Sequence, residues 1–423
     1  MTQYIPSQSS SLDDWLCYLE GIHPTNIEMG LTRVTAVAEK MGLLSLKSKI
    51  ILIAGTNGKG TTARCLEALL LAQNFTVGTY ASPHLIKYNE RVRLNGQQLD
   101  DHYHVAAFAA LEKGRGDISM TYFEFGTLGA LEIFRHTEPD FILLEVGLGG
   151  RLDATNIVTP IASVITTIDL DHKEYLGDTR ELVGFEKAGI FRGVTPAIVG
   201  DLAIPASILN HGKAIGANLC LAQQDFNLSQ NESGYLWQSG DNKIRFSQPA
   251  IPAQNVSTAL ATLNQLGLLP TESVVQAQLS RLKVEGRFEI LSQAPFVVVD
   301  VAHNPESAAY LALKLNAYKE QGYQINALVG MLKDKDQPAA LKHLIPIVDG
   351  WRVATLTGPR GADADFMAQI LTELGVQTLQ KFASVAIALD NEQITTNKQL
   401  LIVFGSFYTV ADAISYWRNK EEA

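Results

Sequence analysis

The chain is 423 residues long, 46% hydrophobic and 18% charged, with a formal net charge of −10. Its length exceeds one ordinary core and predicts two domains, and its acidity excludes a general nucleic-acid binder. Three scattered cysteines (Cys17, Cys65, Cys220) show no metal spacing and no disulfide framework, which points to a reducing compartment.

The N-terminal stretch MTQYIPSQSSSLDDW has neither the basic nor the apolar region of a secretion signal, and no run approaches 18 apolar residues. A cytoplasmic protein without a membrane partner is expected. Ser11–Leu19 reads as a capped helix, and Val34, Val37, Ala38 and Met41 mark one face of a second helix from Leu31. Between them lies a polar loop with His23, Pro24, Asn26, Glu28 and Met29. That loop could line a pocket or serve as a passive connection.

Ile50–Thr62, IILIAGTNGKGTT, runs from a β-branched strand into a glycine-laced loop and then a helical pattern from Ala63. This is the strand–loop–helix context of a phosphate-binding loop. Gly55, Gly58 and Gly60 would let backbone N–H groups face a polyphosphate, Lys59 supplies a mobile charge, and Thr61 a hydroxyl for magnesium. The lysine is followed by Gly60, so the hydroxyl comes one residue later than in G-x-x-x-x-G-K-[ST]. A nucleotide triphosphate is the expected ligand; a merely flexible turn is the bland alternative.

Thr76–Thr79 is a short strand leading to Ser82-Pro83-His84, and an Asn95–Gln97 turn precedes a helix with Val105, Phe108 and Leu111. Thr121–Phe134 reads as a helix despite Gly126 and Gly129, for which close packing or a nearby ligand would account. Phe141–Val146 and Ile161–Ile165 are apolar strands with Glu145 and Asp171-His172 at or beyond their ends. Thr179–Ile190 reads as a helix, Pro196–Val199 as a strand, Cys220–Pro249 as irregular antiparallel pieces, and Asn255–Leu266 and Val274–Arg281 as helices. Strands at Phe296–Val299, Asn326–Val329, Trp351–Leu356 and Gln399–Phe404 form a second unit. The expected class is α/β: a P-loop nucleotide-binding domain with a mostly parallel sheet (1–290) and a smaller C-terminal Rossmann-like α/β domain (291–423).

Taken alone, Glu145 suits magnesium, which prefers oxygen ligands beside phosphates. His172 is either a further ligand or a hydrogen-bonded structural histidine, and Lys187 either functional or part of a surface helix.

AGTNGKGTT (54–62), SPHL (82–85), TYFEFGTLGA (121–130), EVGLGGRLDATN (145–156), EKAGI (186–190), GRFE (286–289), DVAHNP (300–305) and GMLKDKD (330–336) together resemble the folylpolyglutamate synthases, ATP-dependent amide ligases related to the cell-wall Mur ligases. The resemblance spans essentially the whole chain and is closest to the bifunctional form that is also a dihydrofolate synthase. It implies that Gly58, Lys59, Gly60, Thr61, Thr62, Asn255, Arg287 and Asp300 bind ATP, and that Ser82, Glu145 and His172 ligate Mg2+, with a monovalent cation as a candidate companion. Lys59, Glu145, His172 and Lys187 become the catalytic set, with Lys187 a candidate N6-carboxylysine.

The resemblance places the dihydropteroate or folate against Glu28, Met29, Gly30 and Leu31, with Thr121, Tyr122, Phe123 and Glu124 opposite and Leu152, Asp153 and Ala154 nearby. His303 and Ser406 are assigned to L-glutamate. Phe123 could stack on a flat ring or belong to the core, and Arg287 could be a linker residue. The C-terminal domain is expected to complete the ATP and glutamate sites. The implied reaction joins L-glutamate to dihydropteroate and to tetrahydrofolates through an acyl phosphate, in a monomer. A monofunctional folylpolyglutamate synthase, another Mur-type ligase and a nucleotide-binding regulatory module are the competing readings.

Overall fold

The structure, a computed structural model, describes residues 4–25, 27–391 and 398–422. It divides into two compact units, Met1–Leu282 and Lys283–Ala423. Asn26 lies outside the described residues.

The first unit is built on an eight-stranded sheet: β1 (Lys49–Ala54), β2 (Val77–Tyr80), β3 (Val92–Leu94), β4 (Gln97–Gln98), β5 (Phe141–Glu145), β6 (Ala162–Ile165), β7 (Pro196–Val199) and β8 (Asn218–Leu221). Its order is β4-β3-β2-β5-β1-β6-β7-β8. The six neighbouring strands β2, β5, β1, β6, β7 and β8 run parallel, and the β2–β3 and β3–β4 pairings are antiparallel. All of β5, and β1 apart from Lys49, are buried, as strands covered on both faces must be. Ile53 pairs with both Glu145 and Val164, so the ends of β5, β1 and β6 lie level at one edge.

Local chemistry sets the helix boundaries. The helix Leu12–Leu19 opens on a capping box between Ser11 and Asp14, and Tyr122–Thr137 on one between Thr121 and Glu124. The two glycines of the latter are packing residues: a Cβ on Gly129 would meet Phe108 at 2.8 Å, and one on Gly126 would meet the Tyr88 hydroxyl at 2.9 Å. The helix after the glycine loop starts at Lys59, four residues before the pattern suggests, because Gly58 turns left-handed as its N-cap. The stretch after β8 is more regular than expected. β9 (Asn227–Asn231), β10 (Gly234–Ser239) and β11 (Asn242–Phe246) form a separate three-stranded antiparallel sheet.

The second unit holds β12 (Glu289–Gln293), β13 (Phe296–Asp300), β14 (Gln324–Val329), β15 (Gly350–Ala354), β16 (Leu379–Phe382) and β17 (Gln399–Phe404), ordered β12-β13-β17-β14-β15-β16. Only β12 is antiparallel. Both units are thus α/β with mixed sheets. Among the described residues no helix is long and apolar enough to cross a membrane.

Candidate active site

The glycine loop leaves the buried end of β1 and is clamped by the segment that follows β6. Thr56 N donates to Thr167 O (2.8 Å), and Asn57 N to Thr167 Oγ1 (3.2 Å). Thr56 Oγ1 donates to Asp169 O at 3.0 Å, and Thr166 Oγ1 to Asn57 O at 2.5 Å. Gly55 has φ +151°, and a Cβ there would fall 1.8 Å from Thr166 Oγ1. Gly58 has φ +82°, and its Cβ would meet Asn255 Oδ1 at 2.6 Å. Glycine is therefore required at both positions.

Lys59 Nζ folds back onto the carbonyls of Gly55 (3.0 Å) and Thr56 (3.2 Å). Thr61 and Thr62 are buried in the first helical turn, and Glu145 lies beside Gly60, its Oε2 3.2 Å from where a Cβ would stand. The loop, Asn255 and Glu145 are thus brought together around one helix N-terminus, which concentrates unpaired N–H groups and partial positive charge.

A buried ionic group that sequence reading missed stands on the same helix. Glu67, 1% exposed, pairs with Arg64 and with Arg93 Nη2 (2.7 Å) and accepts from Thr79 Oγ1 (3.0 Å). Burial pulls the Arg93 pKa down, opposed by Glu67 and, more weakly, by Glu145. Arg64 and Glu67 read as an ordinary helical i, i+3 pair; only the register of β2 against β3, which sets Thr79 opposite Arg93, reveals the cluster.

Ser82 follows β2 and His172 follows β6 at the same edge of the sheet. His172 is left-handed (φ 50°) at the head of the short helix Lys173–Leu176, its Nε2 3.8 Å from Asp171 Oδ2. Among the described residues no three His, Cys, Asp or Glu side chains gather as a metal cage. Lys187 is buried rather than on a surface helix face. Burial and the neighbouring Lys59 charge bring its pKa down to about 7, opposed by Asp171 and Asp153.

The acceptor candidates also converge. Gly30 N donates to Leu152 O (3.4 Å), and Arg33 bridges Glu28 and Glu124. A Cβ on Gly147 would strike the Phe123 ring at 2.4 Å, so Phe123 lies on the Glu145–Gly150 loop. Met29 reaches the same loop, its Cε 3.6 Å from a Cβ on Gly149. Leu31 is the N-cap of the helix Thr32–Met41, and Tyr122 packs beside Tyr88 under the Arg91 guanidinium. Asp153 is buried with Ala154. Its carboxylate accepts from Leu148 N (2.8 Å) and from Thr155 N (3.0 Å) and Oγ1 (2.6 Å), so it organises its own loop.

In the second unit Asp300 ends β13 and accepts from Phe288 N and Ala302 N, both at 2.8 Å. Burial pushes its pKa up, against the pull of Arg287 and Lys314. The Arg287 guanidinium lies 5.7 Å over the Phe407 ring, and the His303 ring is 6.2 Å from that same ring. His303 Nδ1 donates to Val301 O at 2.8 Å. Ser406 is buried: its hydroxyl accepts from Thr409 N, and Thr409 Oγ1 donates to Gly330 O. It caps the helix Phe407–Glu422. Arg287, Asp300 and His303 are therefore grouped, with Ser406 beside them in a capping role.

Two family models match, the Mur ligase middle domain over residues 53–264 and the Mur ligase glutamate ligase domain over 286–407. The chain belongs to the Mur ligase family, and within it to the dihydrofolate synthase/folylpolyglutamate synthases. It is 44% identical over 408 residues to the dihydrofolate synthase/folylpolyglutamate synthase of Escherichia coli (strain K12), covering 96% of this chain and 95% of that one. The Haemophilus influenzae protein of the same name is 40% identical, covering 98% of each. Among solved structures, E. coli FolC in complex with DHPP and ADP superposes with a TM-score of 0.94 at 43% identity, covering 99% of this chain and all of that one. A bifunctional folylpolyglutamate synthase/dihydrofolate synthase with Mn, AMPPNP and L-glutamate bound gives a TM-score of 0.92 at 44% identity, covering 98% and 100%.

Proposed function

We propose that this chain joins L-glutamate to dihydropteroate, giving dihydrofolate, and to the terminal glutamate of reduced folates, with ATP as the energy source. It is an ATP-dependent amide-bond-forming ligase. The observation that carries the reading is the clamped Gly55–Thr62 loop with Glu145 against Gly60 and Asn255 against Gly58. In this reading the loop is a P-loop and the second unit a Rossmann-like domain whose Arg287 and Asp300 contact ATP.

An acceptor carboxylate oxygen attacks the γ-phosphorus, the bond from that phosphorus to the β-bridging oxygen breaks, and ADP leaves. The neutral α-amine of L-glutamate then attacks the carbonyl carbon of the acyl phosphate. The carbon–oxygen bond to phosphate breaks, the amine's proton leaves with the released phosphate, and an amide forms. No protein nucleophile is required.

The obstacle in the first step is repulsion between two anions. The helix N-terminus and Lys59 offset it, Lys59 exchanging its two carbonyl contacts for phosphate oxygens. The donor set fits Mg2+: one buried carboxylate, Glu145, with Ser82 and His172 at the same sheet edge, leaves room for phosphate oxygens and water, which this ion prefers to a protein cage. When bound, the ion supplies charge neutralisation between the phosphates. Lys187 is the candidate carbamate. With a pKa of about 7 the neutral amine that reacts with carbon dioxide is abundant near neutrality, and the product would be an anion beside Lys59. Leu152–Ala154 and Phe123 face the acceptor in this reading, and His303 and Ser406 are assigned to L-glutamate.

The test is Mg2+- and ATP-dependent incorporation of labelled L-glutamate, with dihydropteroate and tetrahydrofolate as parallel acceptors. Incorporation with both is expected. Tetrahydrofolate alone would reduce the enzyme to a polyglutamate synthase, and activity with neither acceptor would overturn the reading.

A further inference from the structure

Arg33 lies outside every stretch that the sequence assigns to a substrate, in the first turn of the helix Thr32–Met41. Its guanidinium nevertheless ties two of those stretches together. Nη1 bonds the Glu28 carboxylate, and Nη2 donates to the Glu28 carbonyl (3.3 Å) and to Glu124 Oε1 (3.1 Å). The bonds continue at both ends. Glu28 Oε2 is 2.8 Å from His23 Nε2, whose Nδ1 is 3.1 Å from Ser119 Oγ. Glu124 Oε2 accepts from Thr121 N at 2.7 Å. One hydrogen-bonded line thus runs Ser119–His23–Glu28–Arg33–Glu124–Thr121.

Beyond the Gly30 N–Leu152 O bond and the Met29 contact, little else holds the Glu28 side of this line. The Glu28 side chain is 47% exposed, and the helix that follows has Leu31 at its N-cap with no side-chain cap bond. Glu124, by contrast, is 5% exposed and locked in its capping box. A single exposed ion pair fixes almost nothing. A planar fork shared between one anchored and one mobile carboxylate fixes a geometry.

We propose that Arg33 is a positioning residue for the acceptor substrate, docking the Glu28–Leu31 loop onto the Thr121–Glu124 helix start so that the pterin-bearing acceptor meets one preformed wall. This rests on the assignment of those two stretches to the acceptor. The effect is confined to acceptor binding: the guanidinium acts through Glu28 and Glu124 and takes no part in phosphoryl transfer. Lysine is a poor substitute, because one ammonium on a flexible stem cannot grip both carboxylates in a fixed plane.

The experiment compares wild type, Arg33→Met and Arg33→Lys by steady-state kinetics with dihydropteroate, and follows melting temperature in parallel. In Arg33→Met the KM for dihydropteroate is expected to rise about tenfold or more, with kcat and the KM values for ATP and L-glutamate within about twofold. Arg33→Lys should fall between. Combined with Glu124→Gln, the Arg33→Met effect on acceptor KM should be less than additive, since both changes cut the same tie. An unchanged acceptor KM in folded Arg33→Met overturns the proposal, as does equal loss across all three substrates. Should Arg33→Met not fold, Arg33→Lys decides, and wild-type kinetics there also overturns it. Wild-type protein inactive on dihydropteroate would instead sink the acceptor assignment itself.

Discussion

The proposed phosphate loop and the proposed acceptor wall belong to the same unit but are held by opposite means. The loop is fixed by backbone: glycines with no room for a Cβ, threonines clamping carbonyls, and a buried strand behind it. The wall is fixed by side chains, through Arg33 and its two carboxylates, the buried Glu124 and the half-exposed Glu28. Backbone cradles tolerate no substitution but resist salt and temperature. Side-chain ties tolerate substitution but weaken in salt, because screened, solvated ion pairs contribute little each. A site that must hold one invariant group and accept two chain lengths of another is served by that division.

The largest effect should come from the cation in the cradle. Lys59→Ala is expected to lower kcat by about 10²–10³-fold or more, the scale of losing one preorganised stabiliser of transition-state charge. Folding should be nearly untouched, since Lys59 Nζ is held by two carbonyls at the mouth of the loop. Near-normal turnover in urea-stable protein would mean the phosphates sit elsewhere. Gly55→Ala tests the cradle itself. The added methyl would collide with Thr166 Oγ1 in a backbone region that L-residues avoid, and a loss of about 2–4 kcal/mol in urea unfolding is expected. A loss under about 0.5 kcal/mol would show that the loop is soft and the contrast with the wall false.

Lys187 sharpens the comparison through pH. Its folded pKa of about 7 lies below the ordinary 10.5, so between these values the folded chain binds fewer protons than the unfolded one. Stability therefore rises with pH through that window, and below it the full cost of a buried cation applies. In buffer freed of carbon dioxide, Lys187→Met should be more stable than wild type at pH 6. The advantage should shrink by about 1.4 kcal/mol per pH unit from pH 7 upward. A constant difference from pH 6 to 9 would show the amine to be an ordinary exposed one.

The same division explains what the sequence disclosed. The cradle is local, a strand, three glycines, a lysine and a helix in one run, so the linear pattern carried it, apart from the helix start at Lys59 that Gly58 sets. Glu145 was legible because a carboxylate at the end of an apolar strand has few structural uses. Arg33, Arg93 and Glu67 were not. Each reads as a surface charge with local partners at most, and only tertiary structure brings Glu124 to Arg33 and Arg93 to Glu67. Lys187 had two readings, and burial decided against the exposed one. In the fold, the parallel strands stood out as apolar runs. The edge strands β12 and β16, polar and part exposed, carried no such signal. The antiparallel sheet β9–β11 showed only as irregular antiparallel pieces punctuated by turn residues, its apolar contribution resting on single buried positions such as Trp237 and Phe246.

The smallest expected effect separates the wall from the cradle most cleanly. Glu28 is about half exposed, so Glu28→Gln should leave the urea midpoint of unfolding at its wild-type value. The wall should nonetheless loosen, because a neutral amide holds the guanidinium less tightly than a carboxylate does. Salt offers the same cut without mutation. Between about 0.05 and 0.5 M of an inert salt the screening length falls several-fold, and the dihydropteroate KM of wild type should climb. In Glu28→Gln, which has already lost that ion pair, the same titration should give a shallower rise. Parallel slopes in the two proteins would mean that salt acts on the anionic acceptor directly. The Glu28–Arg33 pair would then be an ornament of the surface rather than the hinge pin of the wall.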